Sequence, residues 1–494
     1  QTCALPICLI EAAALALSEN KPILALKIGR SEAGKQSASA HSGSLAGSSE
    51  VTDVFLKNHH ILQVRHFDEI NEAIELLARL KDRSPRWPSK IALTGISGGL
   101  VGLSSDLAEQ EGVEFARINE STKARIAKVL PDYATAKNPL DVTTALFDTD
   151  AYKECIRALS EDPEVGLILC CQDMEMEMFD QQVDVYSRIV AALCEVSEEI
   201  EKPMVLYSPV STGVVPEFAE MCSKAGIPVL QGINETMNAV KLYFEWMEAR
   251  LAQTTKPSIE IRPFLKPEII HLKQDLYLSE KESKQLLKSY DIQTTREFLV
   301  KSPIEASIAS EKIGYPLVMK IDSADIIHKT EAKAVRIGIA NSDEAAAAYQ
   351  ELIRNARDYD PGARINGVSV QEMIKEGVEM MLGMKNDPVF GPIIMVGLGG
   401  INVELFRDLA LEIAPISYQS ALKMITSLKS SKLLLGYRGS RPADIDALCD
   451  AIVKFSQLAY DYREEIMEMD VNPIIVLEKG LGAIAVDALI VRKQ

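Results

Sequence analysis

Short apolar runs alternate with helix-period stretches along the first half of this chain, and that alternation limits it to a parallel α/β architecture. Pro22–Lys27, Ile61–Val64, Ile91–Thr94, Val165–Cys170, Pro203–Tyr207 and Val229–Gln231 read as buried strands, with stretches of helical character between them. Strands spaced in that way pair in parallel, and such sheets hold ligands at the carboxyl ends of their strands. The loops at those ends are where chemistry is expected.

The chain has 494 residues, more than one core can use, so roughly three domains are expected. A formal charge of −18 with no Lys/Arg cluster argues against a nucleic-acid partner. No apolar run approaches the ~20 residues of a membrane-spanning helix, so no membrane role is expected. The eight cysteines lack metal-ligand spacing and read as buried thiols of a reducing cytoplasm, which argues against zinc. Gln1–Ile7 has no initiator Met, no basic n-region and no signal-peptide pattern. It reads as a translated sequencing adapter, and the chain is expected to begin inside a domain, near Cys8.

Composition marks the boundaries. Ser84–Ser89 is punctuated by Pro85 and Pro88, and the pattern-poor stretch Thr254–Asp275 carries Pro257, Pro263 and Pro267. The expected divisions are residues 1–84, 85–252, a linker over 253–275, and 276–494. The last part opens with a helix over Ser279–Tyr290, in which Ser279 and Glu282 form a capping box. Strands at Pro316–Ile321, Val335–Ala340, Val368–Met373 and Pro392–Val396 follow, with a helix at Asp343–Asn355 and a long helical C-terminal half.

His41 lies in Gly29–Gly47, a run of glycines, small residues and hydroxyls ahead of the amphipathic stretch Val51–Leu62. A loop with so little bulk can move, and the unpaired N–H groups opening the next helix attract anions. That suits a histidine passing on a phosphoryl group; a flexible Gly/Ser loop with an incidental histidine is the plain alternative. Ser97, Gly98 and Gly99 join a strand to a helix and suit either phosphate binding or a tight turn, with Asn138–Asp141 able to bound the same crevice. Lys320 ends an apolar strand, where an unpaired ammonium is costly, which points to a phosphate partner. His328 stands between Ile327 and Lys329, a pattern usual for a surface residue. Alternation puts Glu468, Asp470 and Asn472 on one strand face, and with Asp487 these hard oxygen donors suit Mg²⁺ carrying nucleotide phosphates. A solvated acidic strand is the other reading.

Taken in order, these strings resemble the NDP-forming acyl-CoA synthetases of the ADP-forming acetate–CoA ligase type, relatives of succinyl-CoA synthetase. The resemblance runs from about residue 9 to the end. It covers Lys27–Arg30, Ala40–Gly47, Ser97–Gly99, Asn138–Asp141, Gly314–Lys320, His328–Glu331, Asp387–Pro392, Gly397–Gly400, Leu435–Gly439 and Asp470–Pro473. It implies flavodoxin-like, parallel-sheet CoA-ligase domains followed by an ATP-grasp domain. It also implies the reaction acyl-CoA + ADP + Pi ⇌ carboxylate + CoA + ATP, with His41 as the phosphohistidine and His328 as a second, relaying histidine. On the same ground Lys320 is the phosphate-binding lysine, and Val370–Met373 the adenine hinge through Gln371, Glu372 and Met373. Glu379 becomes a ribose contact, Asn472 and Asp487 the Mg²⁺ ligands, and Ser97, Gly98 and Gly99 a phosphate cradle. The ligands are ADP or ATP, phosphate, and acyl-CoA or its carboxylic acid, in a cytoplasmic homo-oligomer.

The chain departs from that family pattern at both ends of its chemistry. The dinucleotide-fold CoA-binding domain is not within it, nor is the front of the next domain, as an N-terminally truncated sequence would require. Lys333-Ala334 stands where relatives carry Gly-Gly, and position 412 is Glu where they often carry a basic residue. Two other functions fit the same domains: the regulatory region of a protein lysine acetyltransferase, and a non-catalytic nucleotide sensor.

Overall fold

A computed structural model describes residues 5–31, 33–34, 36, 49–82, 86–143, 148–254, 276–326, 328–399 and 408–493. His41 and the linker expected at 253–275, from residue 255 on, lie outside the described residues. Two compact units form: Gln1–Ala46 with Leu56–Ser258, and Gly47–Phe55 with Ile259–Gln494. Among the described residues no helix is long and apolar enough to cross a membrane.

In the first unit, β1 (Leu24–Leu26) pairs in parallel with β2 (Leu62–Val64), Leu24 opposite Leu62. A larger parallel sheet contains β3 (Lys90–Gly95), β4 (Glu114–Phe115), β5 (Leu140–Asp141), β6 (Leu167–Cys171), β7 (Met204–Ser208) and β8 (Val229–Gln231). Its order is β4-β3-β6-β7-β8, and β5 pairs with the carboxyl end of β3 at Thr94 and Gly95. Alternation splits each strand between two cores. Leu93, Leu169 and Tyr207 pack with Leu76, Leu80 and Trp246 on one face, while Ala92, Cys170 and Leu206 pack with Tyr152, Ile156 and Phe218 on the other. Both faces are covered, which is why these strands read as nearly continuous apolar runs.

Glu72 is buried on the helix Phe67–Leu80, where its Oε2 accepts from Gln231 N at 2.9 Å. Burial pushes its carboxyl up to about 7; the Gln231 N–H opposes this, while Glu75, Glu235 and Asp68 add to it. The folded state therefore holds a proton, between the ordinary 4.5 and about 7, that the unfolded chain has released. Stability falls as pH rises through that window and levels off above it. Glu72→Gln keeps the acceptor for Gln231 and removes the charge. It is expected to stabilise the protein by up to about 3 kcal/mol at pH 8 and by almost nothing at pH 4. Thermal unfolding at both pH values checks this, and an equal shift in Tm at the two would contradict it.

The second unit holds two antiparallel sheets. One has β9 (Glu297–Val300), β10 (Leu317–Asp322), β11 (Val335–Ile339) and β12 (Gly367–Glu372) in the order β11-β10-β12-β9. The helices Pro303–Ile313 and Ser342–Tyr359 cover it, and Ala309 and Leu352 pack on Met319, Ile321, Val368 and Val370. The other has β13 (Val378–Asp387), β14 (Gly391–Leu398), β15 (Leu409–Ile413), β16 (Ile466–Val476), β17 (Ala483–Ala485) and β18 (Leu489–Arg492). Its order is β15-β14-β13-β16-β17, with β18 also against β16.

That second sheet corrects the expectation of a long helical C-terminal half. The helices Tyr418–Ser427 and Ile445–Asp461 are real, but they cover a sheet, with Ile425, Phe455 and Leu458 packed on Leu382, Met384, Val471 and Ile474. The long strand β13 reads Val-Glu-Met-Met-Leu-Gly-Met-Lys-Asn-Asp. Met, Leu, Glu and Lys favour helices in isolation, and pairing with β14 and β16 overrides that preference.

Candidate functional site

Alternation along β10 sends Met319 and Ile321 into the core, so Lys320 emerges on the opposite face. Lys320 Nζ donates to Asp487 Oδ2 at 3.0 Å and to Glu280 Oε1 at 3.2 Å. Asp487 follows β17, and Glu280 opens the helix Glu280–Ser289. That helix starts where the sequence places it. Ser279 Oγ accepts from Glu282 N at 3.4 Å, and Glu282 Oε2 accepts from Ser279 N at 3.0 Å, which completes the capping box. Two acidic residues in the first turn also suit the positive end of the helix dipole.

A cavity of about 460 Å³ opens over this contact, lined by Glu280, His328, Lys329, Asp470, Asn472 and Asp487 among others. Asp470 and Asn472 come from β16, two residues apart and so on one face, as alternation predicts. Glu468, two residues earlier, is drawn to Lys385 at 3.4 Å and is not among the lining residues. His328 is exposed at the cavity, so its imidazole is open to a ligand.

Charge is concentrated beneath the opening. Lys329 Nζ lies 2.8 Å from Glu280 Oε2 and 3.8 Å from Asp487 Oδ1. Burial alone would push the Glu280 carboxyl up, but the charges of Lys320, Lys284 and Lys329 outweigh it and hold the group well below the usual carboxylate range. Burial of Lys329 works against its ammonium, and Glu280 and Asp487 reverse that, leaving its pKa raised. Crowding around the Asp470 carboxyl, then the charge of Asp487, push Asp470 up to about 6. Two mutually repelling carboxylates beside the Asn472 amide form a set of hard oxygen donors that a divalent cation would relieve. Among the described residues there is no group of three or more His, Cys, Asp or Glu placed to hold a metal unaided. Two carboxylates and an amide oxygen are donors of the kind Mg²⁺ uses, with phosphates and water completing its shell.

The substituted pair Lys333-Ala334 sits just past this site. Lys333 has φ +50°, the left-handed region that glycine enters without strain, and its carbonyl accepts from Asn355 Nδ2 at 2.9 Å. Ala334 is fully buried in the core under β10. The turn is thus formed without glycine, and Lys333 carries the backbone strain that glycine would not.

Other expected residues stand apart from the cavity. Gln371 is buried on β12, where its Oε1 accepts from Lys284 Nζ at 3.1 Å and Thr295 Oγ1 at 3.2 Å. The Glu372 carboxylate is engaged by Arg296 Nε at 2.7 Å. Glu379 is exposed on β13, and neither it nor Met373 is among the lining residues. In the first unit, Ser97 takes the extended N-cap conformation of the helix Gly98–Glu111, but its hydroxyl makes no capping bond. A methyl group at Gly98 would sit 2.8 Å from Asp141 Oδ2, so that carboxylate would have to turn aside for a larger residue. Asn138 sets up this close approach: Leu93 N donates to its Oδ1, and its Nδ2 donates to the carbonyls of Ile91 and Ala116, each at 2.9 Å.

Sequence reasoning missed Glu280 and Lys284 and gave Lys329 no role. Only the i,i+4 spacing of Glu280 and Lys284, 2.8 Å apart in the fold, could have signalled the pair. Their link to Lys320 and Lys329 is tertiary.

Comparison with known proteins identifies the family. Residues 271–491 match the ATP-grasp domain family, and residues 9–77 match the succinyl-CoA ligase like flavodoxin domain family. The 4-hydroxybutyrate–CoA ligase (ADP-forming) of Nitrosopumilus maritimus is 31% identical over 477 residues, 95% of this chain and 66% of that protein. The acetate–CoA ligase (ADP-forming) of Methanocaldococcus jannaschii is 32% identical over 491 residues, 96% of this chain and 68% of its own length. Acetate–CoA ligase (ADP-forming) II subunit beta of Pyrococcus furiosus is 45% identical over 214 residues, 43% of this chain and 91% of that subunit. The chain thus spans about two thirds of the length of the single-chain relatives it matches. With an ATP-grasp match over the half that holds the Lys320–Asp487 cavity and similarity to those ligases along nearly its whole length, this chain belongs to the ADP-forming acyl-CoA synthetase (acetate–CoA ligase) family.

Proposed function

We propose that this chain carries the nucleotide side of an acyl-CoA synthetase that converts acyl-CoA, ADP and phosphate to carboxylate, CoA and ATP. The observation that supports it most is the convergence of His328, Asn472 and Asp487, from separate segments, on one cavity, with Lys320 bound to Asp487 at its wall. In this reading residues 1–84 and 85–252 are CoA-ligase domains and 276–494 the ATP-grasp domain. Phosphate attacks the acyl carbonyl and the CoA thiolate leaves; the imidazole of His41 then takes the phosphoryl group as the carboxylate departs. At the cavity the imidazole of His328 takes the phosphoryl group and frees His41, and an oxygen of the ADP β-phosphate then attacks that group and frees His328.

Lys320 and Lys329 neutralise the phosphates, and Asn472 and Asp487, joined by Asp470, hold Mg²⁺, which screens phosphate charge when bound. Gln371, Glu372 and Met373 border the base, with Glu379 at the ribose. Ser97, Gly98 and Gly99 offer amides of a helix start to phosphate on the CoA side. The acetyltransferase-regulator reading gains no support from the relatives. Calorimetric titration of the chain with ADP and Mg²⁺ tests the proposal: saturable binding is expected, and the absence of any binding heat with ADP or ATP would end it.

A further inference from the structure

Glu280 differs from every other charged group at the cavity in what holds it and what it holds. Its side chain is only 3% exposed, yet both carboxylate oxygens are used. Oε1 takes Lys284 at 2.8 Å and Lys320 at 3.2 Å, and Oε2 takes Lys329 at 2.8 Å. Lys284 is itself locked behind the site by Glu297, Thr295 and Gln371, each at 3.1 Å. Asp487 also touches Lys320 and Lys329, at 3.0 and 3.8 Å, but its side chain is 33% exposed and faces the cavity.

The two carboxylates are therefore unequal partners. Asp487 is open to an incoming cation and would exchange its lysines for it. Glu280 touches the cavity wall but is almost fully buried, and Lys284 holds it from behind. Lys side chains are long and flexible, so two ammoniums stay aimed at one place only if a fixed group holds them. We infer that Glu280 is a positioning residue for nucleotide: it keeps Lys320 and Lys329 directed at the polyphosphate when Asp487 turns to the metal ion. This rests on the nucleotide reading of the cavity.

Electrostatics alone predicts the opposite sign, which makes the inference testable. Glu280→Gln leaves the cavity one unit more positive, so if only the field mattered, ADP would bind more tightly. Positioning predicts weaker binding, with a dissociation constant for Mg–ADP raised by about tenfold by calorimetry. Glu280→Asp keeps the charge but, one methylene shorter, cannot span both ammoniums, and a smaller loss is expected. Lys329→Met should weaken binding in the wild-type background and add little in Glu280→Gln, because the two changes remove one arrangement. Removing one partner of a buried ion pair can unfold a protein. Circular dichroism and thermal melting therefore accompany each titration, and Glu280→Asp decides the matter if Glu280→Gln does not fold. ADP binding equal to or tighter than wild type in the folded variants would overturn the role of Glu280. A wild-type chain that binds no ADP would instead remove the nucleotide reading itself.

Discussion

His41→Ala is expected to remove most of the labelling of the chain by γ-phosphate-labelled ATP, leaving only what the relaying His328 holds, while wild type acquires a label that survives base and is lost in acid. Each phosphoryl transfer in the proposed reaction is reversible, so ATP should charge the carrier histidine without any acyl-CoA present. Stability of the label identifies a phosphorus–nitrogen bond and separates histidine from serine, whose phosphoester survives acid. His41 is flanked in sequence by the small residues Ala40, Ser42 and Gly43, and at neutral pH a good part of an ordinary imidazole is neutral and nucleophilic. His328 is the rival acceptor, since it is exposed at the cavity. Labelling that persists at the wild-type level in His41→Ala and disappears in His328→Ala would reassign the carrier.

Lys320→Met is expected to weaken Mg–ADP binding by about 10- to 100-fold, the worth of a charge-assisted hydrogen bond to phosphate. Methionine fills similar space, so the packing of β10 should survive. Glu280 retains Lys284 and Lys329 in this variant, and the acid is not left wholly unpaired. The loss should therefore show in affinity more than in melting temperature. Calorimetry and thermal unfolding of the same samples separate the two, and unchanged ADP affinity would show that Lys320 serves only the Glu280–Asp487 contact.

Much of the first unit was legible because its strands are buried on both faces and its helices are amphipathic. Leu167–Cys171 and Met204–Ser208 can hardly be anything else. The capping box at Ser279 was equally plain, being a local pattern whose partners lie three residues apart. The strand β13 was not, because Met380, Met381 and Met384 carry no strand signal until β14 and β16 flank them. At the cavity, Lys320, Asn472 and Asp487 were found by type and context, since a lysine in an apolar strand and acids near a buried sheet demand partners. Glu280 escaped because an acid in the first turn of a helix already has a sufficient local explanation in the helix dipole. Lys333 shows the reverse: its loss of glycine was visible in sequence, and only the backbone angle shows that the turn persists.

The approach of Gly98 to Asp141 ties two distant stretches of chain to one another in evolution. Asp141 cannot easily retreat, because its Oδ1 already accepts from Thr143 N at 3.0 Å and Thr143 Oγ1 at 2.5 Å. A side chain gained at position 98 would turn the Asp141 carboxylate aside and strain its two bonds to Thr143. The choice of residue at position 98 is thus coupled to one more than forty residues away. A library that randomised positions 98 and 141 together would admit larger residues at 98 more readily than one that varied 98 alone.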